Sequence, residues 1–123
     1  MRALVVDDSK TMRMILKQIL ESLNYEVIEA EQGLEALEKL QGVELPELAL
    51  VDWNMPVMKG IDLVRALRND EHYAGMRIMM VTTETEMEQV RTALVEGADE
   101  YVMKPFTREV ILEKLEILGL NPS

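Results

Sequence analysis

Ala3-Leu4-Val5-Val6-Asp7-Asp8-Ser9, followed at once by Met12, Ile15, Leu16, Ile19, Leu20 and Leu23, reads as one complete strand-to-helix unit. Four consecutive apolar residues make a strand-sized run. The six that follow fall at i, i+3, i+4, i+7, i+8 and i+11, the stripe of a helix that lays one face on a core. Ser9 stands where an N-cap side chain accepts a free amide hydrogen of the first turn. Between the two elements lies an acid pair, Asp7 and Asp8, at the carboxyl end of the strand.

The unit recurs along the chain. Apolar runs return at residues 27–28, 48–51, 78–81 and 101–103. Helical spacing returns between and after them, at Leu34, Leu37 and Leu40, at Ile61, Val64 and Leu67, at Val90, Ala93, Leu94 and Gly97, and at Ile111, Leu115 and Leu118. Five alternations with short connectors predict right-handed βαβ crossovers and a parallel sheet covered on both faces, a doubly wound α/β fold. The runs at 48–51 and 78–81 are continuously apolar, as central strands are. Those at 27–28 and 101–103 are flanked by Glu26, Glu29 and Glu100, which suits edges that must not pair with another chain. Residues 45–47, with Pro46, read as a loop, and the last helix is expected to end at Gly119. A single domain spanning 1–123, with no attached effector domain, is the expectation.

Composition narrows the function. The 123 residues carry 23 Asp and Glu against 13 Lys and Arg, a formal charge of -10 that repels nucleic-acid phosphates. There is no cysteine and one histidine, His72, so disulfides, thiolate chemistry and zinc sites drop out. The apolar run after Arg2 is far shorter than a signal-peptide core or the roughly 20 residues of a membrane span, which points to a cytoplasmic protein without membrane insertion.

In open α/β sheets, ligands gather at the carboxyl ends of the strands. There the sequence places Asp7 and Asp8 after the first run, Asp52 after the third, Thr82 after the fourth and Lys104, followed by Pro105, after the fifth. Three carboxylates and one ammonium sum to about -2, and two carboxylates near 4 Å repel by roughly 4 kcal/mol at an effective dielectric of 20. A hard divalent cation relieves that charge. A site with oxygen ligands and no nitrogen or sulfur suits Mg²⁺.

These strand ends, with Val51-Asp52-Trp53-Asn54-Met55-Pro56 and Tyr101-Val102-Met103-Lys104-Pro105-Phe106-Thr107, resemble the receiver domain of bacterial response regulators, and within it the stand-alone chemotaxis members. The resemblance covers essentially the whole chain. It implies a flavodoxin-like (βα)5 fold with strand order 2-1-3-4-5. It also implies that Asp52 is the phosphoacceptor, a carboxylate nucleophile toward the phosphohistidine of a sensor histidine kinase. Asp8, Asp52 and the main-chain carbonyl of Asn54 would ligate Mg²⁺, with Asp7 acting through a bound water. Lys104 and the metal would compensate the phosphoryl charge, and Thr82 would donate its hydroxyl to the modified Asp52.

By the same resemblance, that contact draws the following loop inward and lets Tyr101 turn from exposed to buried. The altered face comprises the fourth helix, fifth strand and fifth helix, where an effector or motor protein binds. A cis peptide bond precedes Pro105. Asn54 and Glu84 tune attack by water on the acyl phosphate, a step that a phosphatase partner could assist, and the protein is expected to be a monomer. Two positions depart from the family pattern. Thr83 stands where a small residue is common, and Lys59 replaces the more usual acid.

Each residue has a plainer reading. Adjacent aspartates are often a solvated turn, Thr82 an ordinary loop residue, Lys104 surface charge and Tyr101 a static edge-strand aromatic. Trp53 either packs under a loop or, beside Asp52, reports on the site. His72, among Asn69, Asp70, Glu71 and Tyr73, reads as solvated. Most of the ten methionines belong to the core, with some available for a partner surface. The specific signal is the joint order of acid pair, Asp, Thr and Lys on separate strand ends. A haloacid-dehalogenase-type Mg²⁺ phosphatase needs a second Asp where Asn54 stands. A flavodoxin-like carrier must hold phosphate in the loop that Asp7 and Asp8 make acidic. A receiver in another phosphorelay, or a scaffold-only receiver, shares the same skeleton.

Overall fold

The computed structural model describes residues 1–53, 55–83 and 87–120. Its elements alternate as expected: β1 Arg2–Val6, α1 Lys10–Ser22, β2 Glu26–Ala30, α2 Gly33–Leu40, β3 Leu48–Asp52, α3 Gly60–Arg68, a 3-10 turn at Glu71–Tyr73, β4 Arg77–Thr82, α4 Met87–Glu96, β5 Glu100–Met103 and α5 Arg108–Ile117. The strands form one parallel sheet in the order β2-β1-β3-β4-β5. Among the described residues no helix is long and apolar enough to cross a membrane.

Successive strand residues point to opposite faces, and that alternation divides the core in two. Leu4, Val6, Ala49, Val51, Ile78 and Met80 face one layer, where they meet Ala36 and Leu40 of α2, Leu63, Val64 and Leu67 of α3 and Ala93 of α4. Ala3, Val5, Leu48, Leu50, Met79 and Val81 face the other, against Leu16 and Leu20 of α1 and Ile111 and Leu115 of α5. Burying each large apolar side chain contributes about 1.5–3 kcal/mol, which is why both sides of the sheet must be covered. The edge strands fall where their glutamates predict: Glu26 is exposed and Glu29 half-buried on β2, while β5 pairs with β4 alone.

Helix ends follow local chemistry. The Ser9 hydroxyl accepts from the Met12 amide at 3.2 Å, as its position predicts. Asn24 after α1, Gly97 after α4 and Gly119 after α5 all take positive φ. At each of the three, two main-chain amides return to carbonyls of the final turn, the arrangement that closes a helix with a left-handed residue. Gly97 is therefore the terminator of α4 and not part of its apolar stripe. Three stripe residues also depart from expectation: Ile15, Leu34 and Leu94 are 40%, 45% and 39% exposed. The sheet covers a narrower arc than a full stripe spans. Leu16, Ala36 and Ala93 occupy its centre, and these three lie on the flank.

Candidate functional site

Strand register assembles the site. Val6 is level with Val51, and Asp52 with Val81, so Asp7 emerges one step beyond β1 beside the end of β3. Thr82 is level with Met103, which puts Lys104 one step past β5. Two further bonds extend the ladder over the rim: the Trp53 amide donates to the Val81 carbonyl at 3.0 Å, and the Lys104 amide to the Thr82 carbonyl at 2.7 Å. The strands thus deliver Asp7, Asp52, Thr82 and Lys104 in spatial order along one edge.

Asp7 and Asp52 are 1% and 5% exposed, while Asp8 faces solvent. One carboxylate oxygen from each of the three lies within 4.8 Å of the others. The Lys104 ammonium reaches back across the sheet to Asp52 Oδ1 at 3.1 Å and Asp7 Oδ2 at 3.5 Å. Asp7 Oδ1 accepts from the Ser9 amide at 2.9 Å. Among the described residues its Oδ2 is buried without a hydrogen bond and has the Lys104 ammonium at ion-pair distance, 3.5 Å.

Burial, and then the neighbouring Asp7 carboxylate, push the Asp52 carboxyl up to about 6 against the pull of Lys104. Burial also raises Asp7, opposed by the Ser9 amide and Lys104. For Lys104, burial alone favours the neutral amine, but Asp52 and Asp7 outweigh it and hold the ammonium above its ordinary value. One cation is too little for three carboxylates. The orphaned Asp7 oxygen, the clustered acids and the all-oxygen donor set fit a hard divalent cation held by Asp7, Asp8 and Asp52.

The remaining residues singled out by the sequence occupy different surroundings. Thr82 is buried at the same edge, its hydroxyl 3.3 Å from the Thr83 carbonyl, and Thr83 is half-buried. Asn54 and Glu84 lie outside the described residues. The Lys104-Pro105 bond is cis. Half-buried Tyr101 lies under the Lys114 ammonium, 4.6 Å from its ring centroid, and Lys114 also pairs with Glu100 at 3.1 Å. Trp53 is half-buried and packs against the core layer of α2, α3 and α4. Lys59 is the exposed N-cap of α3 and makes no side-chain cap bond. His72 is exposed, edge-on to Tyr73 in the 3-10 turn that precedes β4, at the opposite end of the strands.

Two residues that sequence reasoning missed shape the site. A Cβ on Gly60 would lie 2.4 Å from the Asp52 carbonyl oxygen and 3.1 Å from Trp53 Cα, so only glycine lets α3 start against the end of β3. Nothing local in the sequence signals that approach. Arg13 is 8% exposed and donates to the Asp7 carbonyl at 2.6 Å. A signal existed there, because Arg13 stands in phase with Leu16 and Leu20 on the buried side of α1.

Residues 3–116 match the family model described as the response regulator receiver domain. Chemotaxis protein CheY1 of Helicobacter pylori is 50% identical over 123 residues, covering 98% of this chain and 99% of that protein. Chemotaxis protein CheY of Pseudomonas aeruginosa is 43% identical over 117 residues, 94% of each chain. The solved structure of the chemotaxis response regulator CheY4 of Vibrio cholerae shares the fold at a TM-score of 0.87 and 37% identity, covering 95% of this chain and 97% of that one. Because the matched span takes in every strand end that contributes to the acidic cluster, the chain belongs to the response regulator receiver domain family, a family of signalling proteins and not of catalytic enzymes.

Proposed function

We propose that this chain is a phospho-accepting switch of a two-component system, with Asp52 as the acceptor. The observation that carries the reading is the meeting of Asp7, Asp8 and Asp52 within 4.8 Å, with the Lys104 ammonium on Asp52. An Asp52 carboxylate oxygen attacks the phosphorus of a kinase phosphohistidine. The new O–P bond forms as the P–N bond breaks, and the imidazole nitrogen leaves with the electron pair. Asp7, Asp8 and Asp52 would hold Mg²⁺, with the Asn54 carbonyl as the further ligand that the family resemblance implies, and the ion would supply charge compensation to the phosphoryl oxygens. Lys104 adds a second cationic group, and the buried Asp7 keeps that ammonium at the site. In this way the chain assists its own phosphorylation and, through residues such as Glu84 and Asn54, sets the pace of hydrolysis.

The output travels from Thr82, on the strand next to Asp52, to Tyr101 on the neighbouring strand β5. A groove of about 320 Å³ on that side is lined by Tyr101, Met103, Pro105, Phe106 and Val110 beside Lys114, and suits an effector or motor protein docking on α4, β5 and α5. The chemotaxis relatives support the same circuit for this chain, with a sensor histidine kinase upstream. Incubated with a small acyl phosphate and Mg²⁺, wild type is expected to gain one phosphoryl group by mass spectrometry. Asp52→Asn is expected to gain none, and chelating the metal to suppress the wild-type reaction. Equal labelling of wild type and variant would move the acceptor elsewhere.

A further inference from the structure

We propose that Arg13 is a positioning residue for the magnesium site, acting through the main chain of Asp7. Its guanidinium is three-pronged: one nitrogen donates to the Asp7 carbonyl at 2.6 Å, Nε pairs with Glu29 at 3.4 Å and the third nitrogen with Glu31 at 3.7 Å. Glu29 belongs to β2 and Glu31 follows it, while the Asp7 amide bonds the Ala30 carbonyl at 3.1 Å. Arg13 therefore bolts the turn bearing the acid pair to the end of β2. The same turn is closed from within by the Ser9 amide on Asp7 Oδ1 and by the Arg13 amide on the Ser9 carbonyl at 3.0 Å.

The chemistry of the pairing gives the role a distinctive sign. A guanidinium beside a cation site repels the cation, so by charge alone its removal tightens Mg²⁺ binding. If Arg13 instead holds Asp7 and Asp8 in place, its removal lets the turn relax and loosens binding. Groups that orient metal ligands commonly contribute 10- to 100-fold to affinity.

This inference rests on the magnesium reading of the site, and Mg²⁺ titration of the full chain, followed by Trp53 fluorescence and by calorimetry, tests the two separately. Wild type is expected to bind, and Arg13→Met to bind about tenfold more weakly or worse at a temperature where circular dichroism shows both folded. Arg13→Lys, which keeps a donor of similar reach, is expected to recover part of the loss. Should Arg13→Met fail to fold, Arg13→Gln, whose amide is two atoms too short for the Asp7 carbonyl, takes its place with the same expectation. Unchanged or tighter Mg²⁺ binding in the folded variant overturns the positioning role while leaving the site reading intact. Absence of binding by wild type removes the magnesium site and this inference with it.

Discussion

Two polar clusters close opposite ends of the same sheet, and they are built on contrary principles. At the amino end, Arg68 spends its donors on the carbonyls of Gly97, Tyr73 and Met76 at 2.7–2.9 Å and on Asp99 at 2.8 Å. Asp99 in turn accepts from the Ile78 amide at 2.8 Å. Charges match there, and α3, the 3-10 turn, β4 and the approach to β5 are tied together by one side chain. At the carboxyl end, three carboxylates face one ammonium and a buried oxygen has no hydrogen bond. The first cluster is complete in itself, whereas the second is complete only with something added. The matched charges of the Arg68 cluster at one end of the sheet help to offset the cost of the acidic site at the other.

Removing Arg68 should break the comparison most visibly. Arg68→Ala takes a charged donor from three carbonyls and the countercharge from Asp99, and the expected loss is about 3 kcal/mol in urea unfolding. Phosphorylation well below the unfolding transition should be retained. A variant as stable as wild type would mean that the amino-end cluster is not the fastening it resembles.

The acidic end should respond in the opposite direction. The Asp52 carboxyl is raised to about 6 in the folded chain from an ordinary 3.8, so between those values the folded state binds the extra proton. Stability attributable to this group falls as pH rises through about 6, and the full penalty is present at neutral pH. Asp52→Asn removes it. The variant should be more stable than wild type at pH 7.5 without Mg²⁺ by up to about 3 kcal/mol, and the gap should close as pH falls toward 4. Added Mg²⁺ should narrow it from the wild-type side. A gap that widens on acidification would reverse the sign of this account.

The smallest effect sits in the loop after β3. Val57 has φ +68 and is 80% exposed, at the centre of a tight turn in which the Met58 amide donates to the Pro56 carbonyl at 2.7 Å. A β-branched residue is costly in that conformation, and its exposed side chain gains little packing in return. Val57→Asn, which tolerates positive φ as Asn24 does, should stabilise by about 1 kcal/mol in thermal or urea unfolding. No gain would place the strain elsewhere in the loop.

The sheet and the residues on its carboxyl rim were legible because both are written locally. Apolar runs mark the strands, and the polar residue that ends each run is by construction at the rim, so Asp7, Asp52, Thr82 and Lys104 could be placed without knowing any contact. Strand order came through family resemblance, since nothing in the binary pattern says which strands are neighbours. Ile15, Leu34 and Leu94 misled because a stripe encodes which side of a helix is apolar but not how wide an arc the sheet covers. Gly60 was invisible for a further reason: its constraint is the Asp52 carbonyl, eight positions away in the chain. Arg13 was legible in phase but easily passed over, as charged residues are expected to face water.

Lys104 extends from the shortest strand of the sheet, an outermost one that leans on β4 alone. Margins of this kind ordinarily fray first. Here, peeling β5 away would withdraw the ammonium and abandon two sequestered anions, so the fraying is resisted by the cargo the strand carries. Concentrated salt, by screening that tether, should quicken deuterium uptake along β5 before it disturbs the middle of the sheet.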